Sequence, residues 1–318
     1  MTATIPRPLP LSPAQVDEAV VPELVVISGK GGTGKTSVVA SFAVLAKNAV
    51  LADCDVDAAD LHLVLAPQVE NRKLFISGHE AVVRPGDCEG CGDCVEICRF
   101  GAIDMCGEIP VADIDPISCE GCGVCVHLCP FGAIDFEPRV CGEWFVSSTR
   151  CGPMVHARLG IAAENSGKLV STVRAEARRV AAQRGRGLVL IDGPPGIGCP
   201  VISATTGAAG VLLVTEPSVS GEHDVGRALA LARHFEIPAA VCVNRWDLCP
   251  ELTERIEASA GEHGAEIAGR IRYDPSVTAA QVERRTVVEF GGPAADDMHR
   301  LWRHVSAWMT AGPRDVDV

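Results

Sequence analysis

Aromatic side chains are scarce in this sequence, at 4% of 318 residues, although hydrophobic residues make up 47%. A core of that size built from Val, Ala, Leu and Ile is the composition of parallel strands covered on both faces. Positive charge is also in short supply, because 28 Lys and Arg stand against 41 Asp and Glu, a formal net charge of −13. Nucleic acid and anionic lipid are bound through clustered cations that release counterions, so this balance argues against both as partners. No apolar run reaches the roughly 18 residues that suggest a membrane span. The opening segment, residues 1–22, carries Pro6, Pro8, Pro10 and Pro13 and lacks the apolar centre of a signal peptide. A cytoplasmic chain with a disordered leader over 1–22 is expected.

Cysteine is abundant by contrast, at 15 residues. Eight of them form two C-x2-C-x2-C-x3-C runs, Cys88, Cys91, Cys94 and Cys98, then Cys119, Cys122, Cys125 and Cys129. This is the spacing of 4Fe-4S cluster ligands, since soft thiolates suit iron and such clusters belong to reducing compartments. A disulfide scaffold fits poorly with a chain of this size, and zinc sites rarely need the third and fourth cysteine in this arrangement. In two-cluster ferredoxins the fourth cysteine of each run serves the other cluster. The expected ligand sets are therefore Cys88, Cys91, Cys94 and Cys129 for one cluster, and Cys119, Cys122, Cys125 and Cys98 for the second. Residues 88–105 match residues 119–136 at 13 of 18 positions with a constant offset of 31, which reads as an internal duplication. Pro130 follows the second run as the ferredoxin pattern expects, whereas Arg99 takes that place in the first.

Around this Cys-rich stretch the pattern alternates between buried strands and helices. Strands are predicted at Leu24 to Ser28, Ala49 to Asp53, Leu188 to Asp192, Val211 to Thr215 and Ala239 to Asn244. Helices are predicted at Lys35 to Lys47, Lys168 to Arg184, His223 to Phe235, Glu251 to His263 and Pro293 to Met309. The class is α/β, with a discontinuous main domain over 23–69 and 145–312 and an inserted module over 70–144.

The run Gly29-Lys30-Gly31-Gly32-Thr33-Gly34-Lys35-Thr36 follows the first strand and opens a helix, the context a Walker A motif requires. Glycines let backbone N–H groups wrap phosphates and the helix N-terminus favours the anion. Lys35 can reach the β- and γ-phosphates, and the Thr36 hydroxyl can ligate Mg²⁺. Asp192 closes the strand Leu188-Val189-Leu190-Ile191 and precedes Gly193-Pro194-Pro195-Gly196, as a Walker B aspartate would. A carboxylate there lies in the crevice where open α/β sheets bind ligands.

With Lys30 as its second residue, the loop reads G-K-G-G-x-G-K-T and resembles the deviant Walker A of the MinD, ParA, Mrp and nitrogenase iron-protein superfamily. The resemblance implies a doubly wound, mostly parallel sheet, the inserted ferredoxin-like module marking a MinD-like subgroup. It implies Mg-dependent ATP hydrolysis by a dimer, homo- or heteromeric, in which Lys30 reaches the partner's nucleotide. Asp53 and Asp55, in Leu51-Ala52-Asp53-Cys54-Asp55, resemble the switch I D-x-D of this superfamily. By that likeness Asp55 orients the attacking water and Asp53 supports Mg²⁺, although either could instead cap the next helix. Asn244 and Arg245 resemble a pair that contacts adenine, yet Asn244-Arg245-Trp246-Asp247 also resembles the guanine-reading N-K-x-D with Arg in place of Lys. The signature lysine favours ATP.

Seven further cysteines are Cys54, Cys106, Cys141, Cys151, Cys199, Cys242 and Cys249. Cys242 lies inside a predicted strand as a small hydrophobe. Cys199 follows the Gly193 to Gly196 loop, where iron-protein relatives place an intersubunit cluster ligand, so a third, labile cluster is one alternative. His156 and Lys168, in a stretch resembling the ferredoxin-inserted members and including Glu164, have either a cargo role or a structural one. The final helix carries Met298, Leu301, Trp302, Val305 and Met309 at core spacing and runs into an acidic tail, Asp315 and Asp317, unlike a basic membrane anchor. The resulting expectation is an ATPase that couples dimer rearrangement to assembly or delivery of an iron–sulfur or related metal cofactor, with an iron–sulfur or redox protein as partner. An ATP-gated electron carrier and a redox-sensing switch are the alternatives.

Overall fold

The computed structural model describes residues 21–160 and 165–311. The leader up to residue 20, Glu164 and the acidic tail lie outside the described residues.

The chain opens with β1 (Glu23–Ser28), α1 (Lys35–Ala46), β2 (Ala49–Asp53) and α2 (Leu61–Leu65). The Cys-rich part follows as β3 (Gln68–Val83), α3 (Asp93–Ile97), β4 (Ile103–Cys106), β5 (Val111–Ile114), α4 (Val124–Leu128) and β6 (Ile134–Thr149). Then come β7 (Gly152–Leu159), α5 (Ser166–Gln183), β8 (Leu188–Pro195), α6 (Cys199–Thr205), β9 (Gly210–Thr215), α7 (Val219–His234) and β10 (Ala239–Asn244). The rest is α8 (Pro250–Glu262), β11 (Glu266–Ile271), α9 (Ser276–Val282), α10 (Val287–Phe290) and α11 (Pro293–Ala311).

Nine strands form one sheet in the order β11-β10-β9-β1-β8-β2-β7-β6-β3. Pairing is parallel from β11 through β7, and antiparallel where β6 joins β7 and β3 joins β6. The doubly wound, mostly parallel sheet implied by the sequence is thus present. Strands β1, β2 and β9 are buried along their whole length, because helices cover both faces. Their side chains alternate between two apolar cores, Val25, Ile27, Val50 and Val211 on one face and Leu24, Val26, Leu51 and Leu212 on the other. The predicted stripe on α11 packs in the second core, where Met298, Leu301 and Val305 are buried and Trp302 meets Phe42 at 4.9 Å between ring centroids.

Four elements depart from the sequence reading. Helix α7 starts at Val219, earlier than the apolar spacing suggests, because Ser218 Oγ accepts the Gly221 N–H at 3.1 Å as an N-cap. The polar stretch 152–159 is strand β7, seated between β2 and β6. Strands β3 and β6 have 16 residues each and pair from Gln68↔Ser148 to Val83↔Ile134. Only 142–149 of β6 also pair with β7, so beyond Gly142 the two strands leave the sheet as a two-stranded ribbon. The expected module limits at 70 and 144 fall inside these strands, where the ladder runs on without a linker.

At the ribbon's end, α3, α4 and the β4–β5 hairpin enclose a small separate core of Ala81, Cys94, Ile103, Ala112, Cys125 and Ile134. At the other end, Arg150 in the β6–β7 turn donates to both Glu289 oxygens, at 2.7 and 2.8 Å, and to the carbonyls of Val64 and Arg284. No helix among the described residues is long and apolar enough to cross a membrane.

Candidate nucleotide and cluster sites

The loop between β1 and α1 sits at the carboxyl end of the central strands, flanked by β8 and β9. Gly34 precedes α1 with φ of +92°, a conformation open to glycine. A Cβ there would lie 2.4 Å from Asn244 Nδ2, which donates to Thr33 O at 2.7 Å. A cleft of about 350 Å³ opens above, lined by Gly31, Gly32, Gly34, Lys35, Thr36 and Asp55 on one side and by Asn244, Arg245, Tyr273 and Gln281 on the other.

Lys35 reaches the cleft floor from the first turn of α1. Its Nζ lies 2.5 Å from Asp192 Oδ1 and 3.3 Å from Asp55 Oδ2. Asp53, the last residue of β2, and Asp192, inside β8, which runs on to Pro195, are fully buried and paired in register. The N–H groups of Asp55 and Leu61 donate to the two Asp53 oxygens at 3.2 and 3.3 Å. Burial pushes the Asp53 and Asp55 carboxyls up, Asp53 well above the usual range, with Asp192 adding to the rise and Lys35 opposing it. Burial works to lower the Lys35 ammonium, but Asp192 and Asp55 overcome it and the net shift is upward. The site therefore holds one fixed cation among three acidic side chains.

Asp192 Oδ2 is buried without a hydrogen-bond partner. An open buried carboxyl oxygen on Asp192, in register with Asp53 and sharing Lys35 with Asp55, is a donor set that fits Mg²⁺. Among the described residues no three His, Cys, Asp or Glu side chains gather closely enough to hold a metal ion unaided. Mg²⁺ in phosphate-transfer sites takes one or two carboxylates and completes its shell with water and phosphate oxygens.

Lys30 is the predicted residue that stands apart. It points away from the cleft and pairs within its own chain with Glu216, at 2.7 Å. Gly29 backs onto α7, where a Cβ would lie 2.2 Å from Asp224 Cβ.

In the module, Cys88, Cys91, Cys94 and Cys129 line one cavity together with apolar Val83, Met105, Ala112 and Ile134. This is the set in which the fourth ligand crosses from the other half of the repeat. Burial raises the Cys94 thiol, and the nearby Cys91 and Cys88 thiols raise it further. Cys125 stands in the same relation to Cys119 and Cys122, while Cys98 packs against the shared core. Crowded thiols in an apolar wall fit a four-iron cluster, whose cube separates its thiolates more widely than a single ion would.

The other singled-out residues spread out. Cys199 is exposed at the first residue of α6, and Cys54 and Cys242 are buried with thiols pushed up by burial. Lys168 lies in the first turn of α5. His156 pairs in register with Asp53 across β2 and β7. Its Nε2 is 2.9 Å from Ser147 Oγ, its ring stacks on Phe145, and burial, with His62 nearby, pushes it down to about 4. Sequence reasoning missed the far wall of the cleft, Arg272, Tyr273 and Gln281. Tyr273 N–H donates to Asp247 Oδ1 at 2.7 Å, and Gln281 Nε2 donates to Ser37 Oγ at 2.8 Å. The available signal was position alone, since Arg272 and Tyr273 follow the carboxyl end of a strand.

Comparison with known proteins accords with this geometry. A 4Fe-4S dicluster domain family matches residues 63–133, a span that includes all eight cysteines of the two runs. The uncharacterized protein MJ0578 of Methanocaldococcus jannaschii is 36% identical over 233 residues, covering 71% of this chain and 79% of the relative. Among solved structures, the cell division ATPase MinD of Pyrococcus furiosus superposes with a TM-score of 0.54 at 18% identity, over 90% of this chain and 99% of that one. The septum site-determining protein MinD of Pyrococcus horikoshii, complexed with Mg-ADP, gives a TM-score of 0.55 at 18% identity, over 89% and 95% of the two chains. At such identity these two share the fold.

Proposed function

We propose a function for this chain from one premise: it belongs to the same family as MJ0578, with a MinD-like fold that carries a 4Fe-4S dicluster domain. The chain binds and hydrolyses ATP and couples the resulting rearrangement of a dimer to the assembly or delivery of an iron–sulfur or related metal cofactor. The observation that carries the coupling is the path of β6. It starts at Ile134 in the cluster core, continues without a break to Phe145 stacked on His156, and so reaches the strand beside Asp53.

In this reading Lys35 exchanges Asp192 for the β- and γ-phosphates, and Gly29 to Thr36 wrap them with backbone N–H groups. Bound Mg²⁺, held by Thr36 and Asp192 with support from Asp53, supplies neutralisation of charge on the phosphates. Asp55 orients the attacking water from the cleft side of switch I. Asn244 and Arg245 face the base, and Lys30 reaches the nucleotide of a partner subunit. Cys88, Cys91, Cys94 and Cys129 hold one cluster, and Cys119, Cys122, Cys125 and Cys98 the other.

Anaerobic purification with parallel assays of iron, sulfide and phosphate release tests this. Two four-iron clusters require about eight irons per chain, and adding an apo iron–sulfur acceptor should draw off part of them only with ATP. Iron that stays bound through many turnovers, while the clusters pass electrons to an acceptor, would replace delivery with ATP-gated electron transfer. No iron after anaerobic reconstitution would sink the cluster assignment.

A further inference from the structure

The loop after β9 holds a contact that ATP hydrolysis as described does not use. Lys30 Nζ lies 2.7 Å from Glu216 Oε1 and donates to Ser220 Oγ at 3.0 Å and Ser218 Oγ at 3.4 Å. The other oxygen of the same carboxylate accepts from Arg245 Nη1 at 3.0 Å. One carboxylate thus joins the phosphate loop to the far wall of the cleft. Ser218 caps α7 and Ser220 lies in its first turn, so Lys30 rests against the positive end of a 16-residue helix. A cation is disfavoured there, and Glu216 is the counter-charge that holds it. Arg245 pins the carboxylate from the other side, so Glu216 cannot follow Lys30 when it leaves.

We propose that Glu216 is a positioning residue that latches Lys30 onto its own subunit and thereby sets the threshold for closure of the ATP-bound dimer. The inference rests on the dimer reading above, in which Lys30 must reach the partner's nucleotide. Lys30 is 36% and Glu216 21% exposed, so water screens the pair. Opening one latch is then worth at most about fivefold in equilibrium.

Two measurements on the full-length, cluster-loaded chain test the latch. The first is acetylation of Lys30 by acetic anhydride without nucleotide, read by mass spectrometry against exposed Lys47. Glu216→Gln should speed labelling of Lys30 up to about fivefold, the opening factor above, and leave Lys47 unchanged. The second is self-association in saturating Mg·ATP by sedimentation velocity. Two latches open per dimer and their factors multiply, so Glu216→Gln should associate at up to about 25-fold lower concentration. Adding Glu216→Gln to Lys30→Ala should bring no further gain, because Glu216 acts through Lys30. Unchanged labelling of Lys30, or a gain that persists in the Lys30→Ala background, overturns the proposal. If wild type and Glu216→Gln both stay monomeric in Mg·ATP while Lys30 still labels faster in Glu216→Gln, the dimer reading is refuted and the latch contact upheld.

Discussion

The nucleotide cleft and the cluster module fix their reactive side chains by different means. In the cleft, Lys35, Asp53 and Asp192 stand on elements whose flanks are filled by two large apolar cores, so their geometry needs no ligand. In the module, the buried core is six residues, two of them the proposed ligands Cys94 and Cys125, and the other six proposed ligands are only half-buried or exposed. So small an apolar core gives little folding energy of its own, and on the proposed assignment metal ligation would supply the remainder. One site is built and then filled, whereas the other is completed by what fills it.

The sharpest attempt to separate the two is Lys35→Ala. Phosphate release should fall by about 10²–10³-fold, the usual cost of losing a preorganised charge at a transition state, while iron content holds. Loss of iron in this variant would break the comparison. Removing the clusters by anaerobic chelation is the converse test. Amides of the module should exchange at least about a hundredfold faster, since ligation free energy is folding free energy. Affinity for a fluorescent ATP analogue should stay within about twofold if the cleft stands on its own cores, because it then loses no contact of the order of 1.4 kcal/mol. Asp192→Asn should raise the Mg²⁺ concentration needed for half-maximal turnover by about tenfold, as for loss of a carboxylate acting through the metal's hydration shell.

A smaller effect concerns the frame that both regions share. Arg150 holds the Glu289 carboxyl down to about 2, against an ordinary 4.5. With the folded value lowered, this clamp stabilises the chain above pH 4.5 and its contribution is lost as pH falls from 4.5 towards 2. Water reaches both partners, so Glu289→Gln should cost about 1 kcal/mol in denaturant unfolding at pH 7 and progressively less below pH 4.5. A cost that does not shrink in acid would assign the stability to packing.

Much of this was legible in the chain because the informative residues are contiguous. The phosphate loop, the Asp192 strand and the two cysteine runs each declare themselves within about ten residues by spacing and by the strand or turn around them. Strands β3 and β6 were not legible. Most of β3 is exposed on both faces and its pairing is broken by irregularities near Asn71, Ile76 and His79, so no period of two marks it. The far wall of the cleft was hidden for another reason. Tyr273 and Gln281 are brought to the phosphate loop by β11 and α9, and nothing in their local sequence points to a nucleotide. Likewise Lys30 announces a lysine of special position, but its partner Glu216 lies across the β1–β9 pairing and carries no motif.

The ribbon that leaves the sheet at Gly142 is also a lever arm. Its eight residues of β6 from Ile134 to Cys141 span about 27 Å at strand rise. A turn of about 10° at its root would therefore sweep the cysteine-lined tip through about 5 Å, given that arm length. Motion of a fraction of an ångström beside Asp53 is thus magnified many times at the far end, and a second copy of the chain would carry a matching arm.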